Sequence, residues 1–211
     1  MTFQVQDLGT VPYDQALSIQ EQLHSEVLSG GTEPTLLLLE HPPVLTLGAN
    51  FHAENLHHPV EDYEKRGIQV FKSDRGGDVT YHGPGQLVAY PIFPLDFIGR
   101  DLHAWLRLLE EAVISTVFEL GVGARRFPPN TGVWVEDRKI CAMGIKVKRW
   151  VSMHGLALNC DADLSPFLWI TPCGIADYGV TSLTAEVGQR VPVDEVKPIL
   201  TEALRGLVSR S

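Results

Sequence analysis

At 211 residues the chain is long enough for one well-packed domain and too short for two ordinary ones, and 44% hydrophobic with 20% charged residues is a globular balance. A net charge of −9 argues against a general nucleic-acid binder, which needs an excess of lysine and arginine for phosphate contacts. The start has neither a basic nor an apolar leader region, runs such as Leu36 to Leu39 are far too short to cross a membrane, and three cysteines speak against a disulfide framework, so a cytoplasmic setting is expected.

In chain order, Phe3 to Leu8 reads as a first strand. Pro12 to Ser29 reads as a helix with Tyr13, Ala16, Leu17, Leu23 and Val27 on one face and Gly30-Gly31 as its stop. Thr35 to Leu39 is short and apolar throughout, the pattern of a central strand buried on both faces. His41-Pro42-Pro43 breaks it, Val44 to Ala49 resumes as a strand, and a polar loop carries His52, His57 and His58. Pro59 to Arg66 predicts a short helix and Ile68 to Lys72 a strand.

The next stretch, Asp74 to Pro91, holds four glycines within twelve residues. Glycine loses more entropy on folding than any other residue, so such a density serves positive φ or close backbone approach rather than packing. Val79 to Tyr81 and Leu87 to Phe93 predict a hairpin turned at Gly83-Pro84-Gly85, holding Arg75 and His82 beside open N–H groups. Taken alone, the pattern also fits a glycine-rich hairpin around a buried histidine.

Asp101 to Leu120 predicts the longest helix, with Leu102, Trp105, Leu106, Leu109, Val113, Val117 and Leu120 inward and Gly121 after its end. Gly132 to Val135, a turn at Glu136-Asp137-Arg138, Lys139 to Lys148 and His154 to Cys160 supply further strands, and Pro192 to Ser209 an amphipathic helix with Val193, Val196, Leu200, Leu204 and Leu207 inward. Hairpins mixed with a few helices, without a regular βαβ alternation, predict an α+β fold with a largely antiparallel sheet and flanking helices. Arg125 to Arg149 contains seven basic and two acidic residues, a patch suited to an acidic macromolecule or to a solvated strand edge.

Two side chains stand out chemically. Cys173 lies between Pro172 and Gly174, which places it on a loop where a thiol is accessible as a nucleophile. Cys141 and Cys160, in or at the end of apolar strands, read as buried. Lys139 heads a strand, and alternation puts it on the face of Cys141, Met143 and Ile145. If that face lines an apolar pocket, desolvation favours a neutral amine that carries protons; a charged Lys139 near Cys173 would instead favour the thiolate.

Arg75-Gly76-Gly77, then Thr80-Tyr81-His82-Gly83-Pro84-Gly85-Gln86 and Tyr90-Pro91, resembles the signature of the lipoyl(octanoyl) transferases. Arg138 to Gly144, His154 to Asn159 and Pro172-Cys173-Gly174 resemble that family's further motifs, so the likeness spans about residues 40–182. It implies the fold of the biotin and lipoate ligases, with residues 1–211 as one catalytic domain. It also implies Cys173 and Lys139 as the catalytic pair. The acyl-binding residues would be Arg75, Gly76, Gly77, Asp78, Val79, Thr80, Tyr81 and His82, then Ala142, Met143 and Gly144, then Gly155, Leu156 and Ala157.

The implied reaction takes octanoyl from acyl carrier protein to a lysine of lipoyl domains, those of 2-oxoacid dehydrogenase complexes and the glycine cleavage H protein, through a cysteine thioester. No metal, cofactor, nucleic acid or membrane is implied. Asn159 matches a motif position of open role, and Cys141 departs from the small alanine-like residue expected there. An ATP-dependent lipoate–protein ligase is the alternative, disfavoured by Cys173, which such ligases do not need. A non-catalytic lipoyl-domain binder is disfavoured by retention of both Lys139 and Cys173. The spacing of His52, His57 and His58 matches no metal-ligand pattern.

Overall fold

The computed structural model describes residues 1–128, 130–171 and 178–210. Its main sheet is built on the apolar run at Leu36. β2 (Thr35–Glu40) pairs in parallel with β1 (Gln4–Thr10) and antiparallel with β6 (Gln86–Ile92). From β6 the sheet continues antiparallel through β10 (Val151–Asn159), β9 (Arg138–Lys148), β8 (Asn130–Val135) and β7 (Arg125–Phe127). A short strand, β11 (Gly179–Val180), adds in parallel to the start of β9.

The apolar run Leu36 to Leu39 within β2 has a simple cause. Leu37 and Leu39 face α1 (Tyr13–Ser29), which packs Ala16, Leu23 and Val27 against them. Leu36 and Leu38 face the opposite layer, where α3 (Leu102–Glu119) and α5 (Val193–Val208) contribute Trp105, Leu109, Val113, Leu200 and Leu204. With both faces covered, the central positions Leu36 to Leu39 cannot be polar at low cost. α2 (Val60–Lys65) lies apart, its Tyr63 buried against a second sheet, and α4 (Leu183–Val187) precedes α5. Among the described residues no helix is long and apolar enough to cross a membrane.

The predicted hairpin at Gly83-Pro84-Gly85 does not form. β5 (Val79–His82) instead pairs antiparallel with β3 (Val44–Leu47), whose other neighbour is β4 (Gln69–Lys72), so β5 belongs to a separate three-stranded sheet. The glycine turn is a corner between two sheets. Gly85, at φ 82°, gives its N–H to the Glu40 carboxylate and its carbonyl to the N–H groups of Cys160 and Asp161. A Cβ there would lie 2.5 Å from the Asp161 carbonyl oxygen.

Two other features differ from expectation. β9 and β10 form a tight hairpin, Lys148 opposite Val151, although its turn residues Arg149 and Trp150 are non-glycine at φ 53° and 64°. No Asn-Gly or Gly-Gly signal announces it. Leu102, expected inward, is exposed, because Asp101 caps α3 by accepting the N–H groups of His103 and Ala104 and turns the first residue to solvent.

Where β10 meets β6, Gly155 is required by close approach. A Cβ on it would collide with the Ala89 carbonyl oxygen and the Pro91 ring. Gly155→Ala should therefore destabilise the protein by about 3 kcal/mol, the upper range for overpacking, read as a lowered urea midpoint at unchanged m-value.

Candidate active site

The two short segments singled out on β9 and β10 are one structure. Ala142 pairs with Ala157, Met143 with Leu156 and Gly144 with Gly155, so two rungs of minimal side chains leave open space above the sheet. The glycine-rich loop crosses that space. A Cβ on Gly144 would lie 2.7 Å from the Gly76 carbonyl oxygen and 3.1 Å from Arg75 Cδ, and the Gly76 N–H bonds the Ile145 carbonyl at 2.9 Å. Arg75 pins the loop to β3. Its buried guanidinium donates to Thr46 Oγ1 and to the carbonyls of Thr46, Asp78 and Gly76, at 2.6–3.0 Å.

The result is a partly open cavity enclosing about 400 Å³ of space, solvent included, and lined mainly by apolar groups. Nine of the expected residues line it: Arg75, Thr80, His82, Ala142, Met143, Gly144, Gly155, Leu156 and Ala157. Alternation along β5 explains two that do not. Thr80 and His82 point into the cavity, so Val79 and Tyr81 point the other way, into the cluster with Phe167 and Tyr63. Asp78 is likewise turned outward; it accepts from Asn55 at 2.6 Å and bonds His52. Gly76 and Gly77 lie in the crossing loop and do not line the wall. His52 and His57 are exposed but bonded, His52 to Asp78 and His57 to Thr171.

Thr80 and Ala142 also wall a second cavity of about 310 Å³ that holds Lys139, Gln86, Asn159, Phe167 and Val180. The expected face of Lys139 was wrong. The register of β8 against β9 slips by one residue, Val133 opposite Cys141 but Trp134 opposite Lys139, and strict alternation fails there. Ile140 and Cys141 therefore both enter the main core, while Lys139 shares a cavity with Ala142. The Lys139 amine lies 4.8 Å from the Trp134 ring centroid, and Lys139 is 8% exposed. Cys173 lies outside the described residues. Tyr178, five positions later, packs edge-on against Phe127 and Trp134. Cys141 and Cys160 are fully buried, and burial pushes both thiols up, Cys160 to about 12.

A buried polar chain runs beneath the two cavities. His82 Nδ1 bonds Gln86 at 2.7 Å, the Gln86 amide donates to Asn159 at 2.8 Å, and Asn159 donates to the Thr181 carbonyl at 2.9 Å. The Thr181 N–H in turn bonds the Lys139 carbonyl. This gives Asn159 a place that sequence reasoning left open. Tyr90 and His154 complete the first cavity and were missed, although both stand inside the motifs. His154 sits at φ 55° within β10, opposite the β6 segment where Pro91 offers no N–H. Its own N–H turns to Gln20 at 2.7 Å, and its Nε2 bonds Asp74, which also pairs with Lys146.

Behind the cavity, His41 donates from Nδ1 to the Val11 carbonyl and accepts the Tyr90 hydroxyl at Nε2. Desolvation lowers it to about 4, against the opposing Val11 bond, and burial drives His82 well below its ordinary value. Both are bases held neutral, so their folded pKa values are depressed. Their stabilisation is complete above the unfolded value of about 6.5 and is lost as pH falls toward the folded one. His41 alone should cost about 3 kcal/mol by pH 4. Urea unfolding from pH 7 to 4 checks this; His41→Gln should flatten the decline, and an equal slope would reject it.

The basic window does not form one patch. Arg138 and Lys148 stand at opposite ends of an eleven-residue strand, about 33 Å apart at the usual rise. Arg126 pairs with Glu110 and Glu111, Arg138 with Glu136 and Glu186, and Lys146 with Asp74. Lys148 and Arg149 remain exposed at the β9–β10 turn beside Trp150.

A family model described as the lipoyl protein ligase A/B catalytic domain matches residues 12–205. An octanoyltransferase of Geobacter metallireducens is 49% identical over 193 residues, covering 92% of this chain and 87% of its own. One of Citrifermentans bemidjiense is 48% identical over 203 residues, 96% of each chain. Among solved structures, lipoate-protein ligase A bound with ATP matches with a TM-score of 0.79 at 19% identity, covering 99% of this chain and 86% of that one, a likeness in fold. The chain belongs to the lipoyl protein ligase A/B catalytic domain family and, within it, to the octanoyltransferases, which makes it an acyltransferase of protein lipoylation.

Proposed function

We propose that the chain, acting as one catalytic domain, carries octanoyl from an acyl carrier protein thioester to a lysine of a lipoyl domain through an acyl thioester on Cys173. The observation that carries this reading is the apolar cavity over the Ala142–Ala157 and Gly144–Gly155 rungs, which adjoins the cavity of Lys139 across the shared wall of Thr80 and Ala142. At roughly 0.8 kcal/mol per buried CH₂, an octanoyl chain in the first cavity gains about 5 kcal/mol. Its carbonyl then belongs at the Lys139 end. Cys173 attacks the carrier thioester, and its thiol proton passes by way of Lys139 to the departing carrier thiol. The acceptor amine, deprotonated by Lys139, then attacks the acyl-enzyme and releases the Cys173 thiol. A reducing cytoplasm suits such a free thiol. No residue in this scheme calls for a metal or nucleotide.

The test is intact mass after incubation with octanoyl-carrier thioester alone. An added octanoyl group, removed by a lipoyl domain, is expected; an adduct that forms only with free octanoate and ATP would make the protein a ligase.

Lys148 and Arg149 are the carrier-docking candidates, since acyl carrier proteins are acidic and Lys146 is already paired. Lys148→Glu with Arg149→Glu should raise KM for the carrier about tenfold at low salt, leaving kcat unchanged. An unchanged KM would move the docking face elsewhere.

A further inference from the structure

α3 packs against the core with apolar side chains, yet it also buries a carboxylate there: Glu110 is 1% exposed. Its Oε2 receives Arg107 at 2.6 Å and Arg126 at 3.1 Å, from two side chains that are themselves 55% and 33% exposed. Its Oε1 accepts the backbone N–H of Gly132 at 3.1 Å. Gly132 is at φ 114°, a conformation other residues rarely adopt, and a Cβ on it would lie 2.5 Å from the Cys141 carbonyl oxygen and 3.7 Å from Lys139 Cδ.

Gly132 adjoins the place where the β8–β9 register slips. With regular pairing, Lys139 would project to the side of Cys141, into the core. With the slip, Lys139 leaves the core face and lies over Trp134 in the cavity. A buried carboxylate is costly even when arginines pair with it, and an apolar side chain would fill the same place more cheaply unless the bond to Gly132 serves another end.

We propose that Glu110 is a positioning residue: by holding the Gly132 N–H of β8 it fixes the bulge of β9 at Ile140 that presents Lys139 to the acyl site. Its effect on turnover rests on the reading of Lys139 as the proton-transfer group; its effect on placement does not. Lys139 is therefore followed both by kinetics and by mass-spectrometric labelling with an amine-reactive reagent, with and without a non-hydrolysable octanoyl thioester analogue.

In folded Glu110→Met, kcat should fall on the order of 10²-fold with KM within about threefold, the scale of a group displaced by about an ångström. The analogue should no longer protect Lys139 from label. Glu110→Gln should recover most of both, because its amide oxygen can accept the same N–H while Arg107 and Arg126 turn to water. Gly132→Ala, with Glu110 intact, should reproduce the loss, and the double variant should be no worse than either single one. Wild-type kcat and wild-type protection in folded Glu110→Met, or in Gly132→Ala should the first variant not fold, would overturn the proposal, as would additive losses. Undiminished kcat in Lys139→Met would instead fault the catalytic reading, and the label would still decide the placement.

Discussion

Cys173→Ser should lower octanoyl transfer by at least about 10³-fold and abolish capture of the acyl group in intact mass. An alkoxide is far harder to form than a thiolate at neutral pH, and an oxygen ester is a poorer acyl donor to an amine than a thioester. The other two thiols cannot substitute. Cys141 and Cys160 are fully buried, and burial holds both in the protonated form. Cys141→Ala and Cys160→Ala should therefore still become acylated, which makes the adduct a direct readout of Cys173. Most of the transfer activity surviving in Cys173→Ser would show the covalent route to be wrong.

What the sequence made legible, and what it did not, follows from the range of the interactions. The helices were readable because their signals are local: the stripe of Trp105, Leu109, Val113 and Val117, the cap at Asp101 and the stop at Gly121 (φ 84°) all lie within α3 or against its ends. The composition of β2 gave its burial for the same reason. Pairing was less legible. Val79 to Tyr81 and Leu87 to Phe93 look like hairpin partners because only a short glycine turn separates them, but β5 finds β3, more than thirty residues earlier, and β6 finds β2 and β10. Nothing local encodes such a choice.

The candidate site was legible through its motifs and wrong in one orientation. The likeness to the transferase motifs pointed to Ala142 to Gly144 and Gly155 to Ala157, and their cross-strand register explains why they occur together. The facing of Lys139 was misread because alternation presumes a regular ladder, and the slip of β9 against β8 lies beside Gly132, whose N–H is held by Glu110 on a helix distant in sequence. Tyr90 and His154 were overlooked because tyrosine and histidine in strands usually mean packing.

Lys139→Arg should lose nearly as much transfer activity as Lys139→Ala, about 10²-fold or more, with the lysine-acceptor half-reaction hit hardest. Two accounts of Lys139 divide on this variant. If its task is to place a positive charge beside the thiol, arginine should serve well. A guanidinium stacks on an indole face at least as favourably as an ammonium, and Trp134 offers that face 4.8 Å from the lysine amine. Poor fit is thus not the expected reason for failure. If its task includes taking the proton that the acceptor lysine must lose to become a neutral nucleophile, arginine cannot serve, since it stays protonated far above neutral pH. Aminolysis of a thioester requires that proton to leave, and burial at 8% exposure beside Thr80, Ala142 and Val180 limits access of water as a substitute base. Pre-steady-state measurement separates the steps: Lys139→Arg should form the acyl-enzyme at an appreciable rate and then accumulate it in the presence of lipoyl domain. Raising the pH should restore transfer in part, as the acceptor amine loses its proton unaided. Near-normal acceptor transfer at pH 7 would leave Lys139 as a charge partner only.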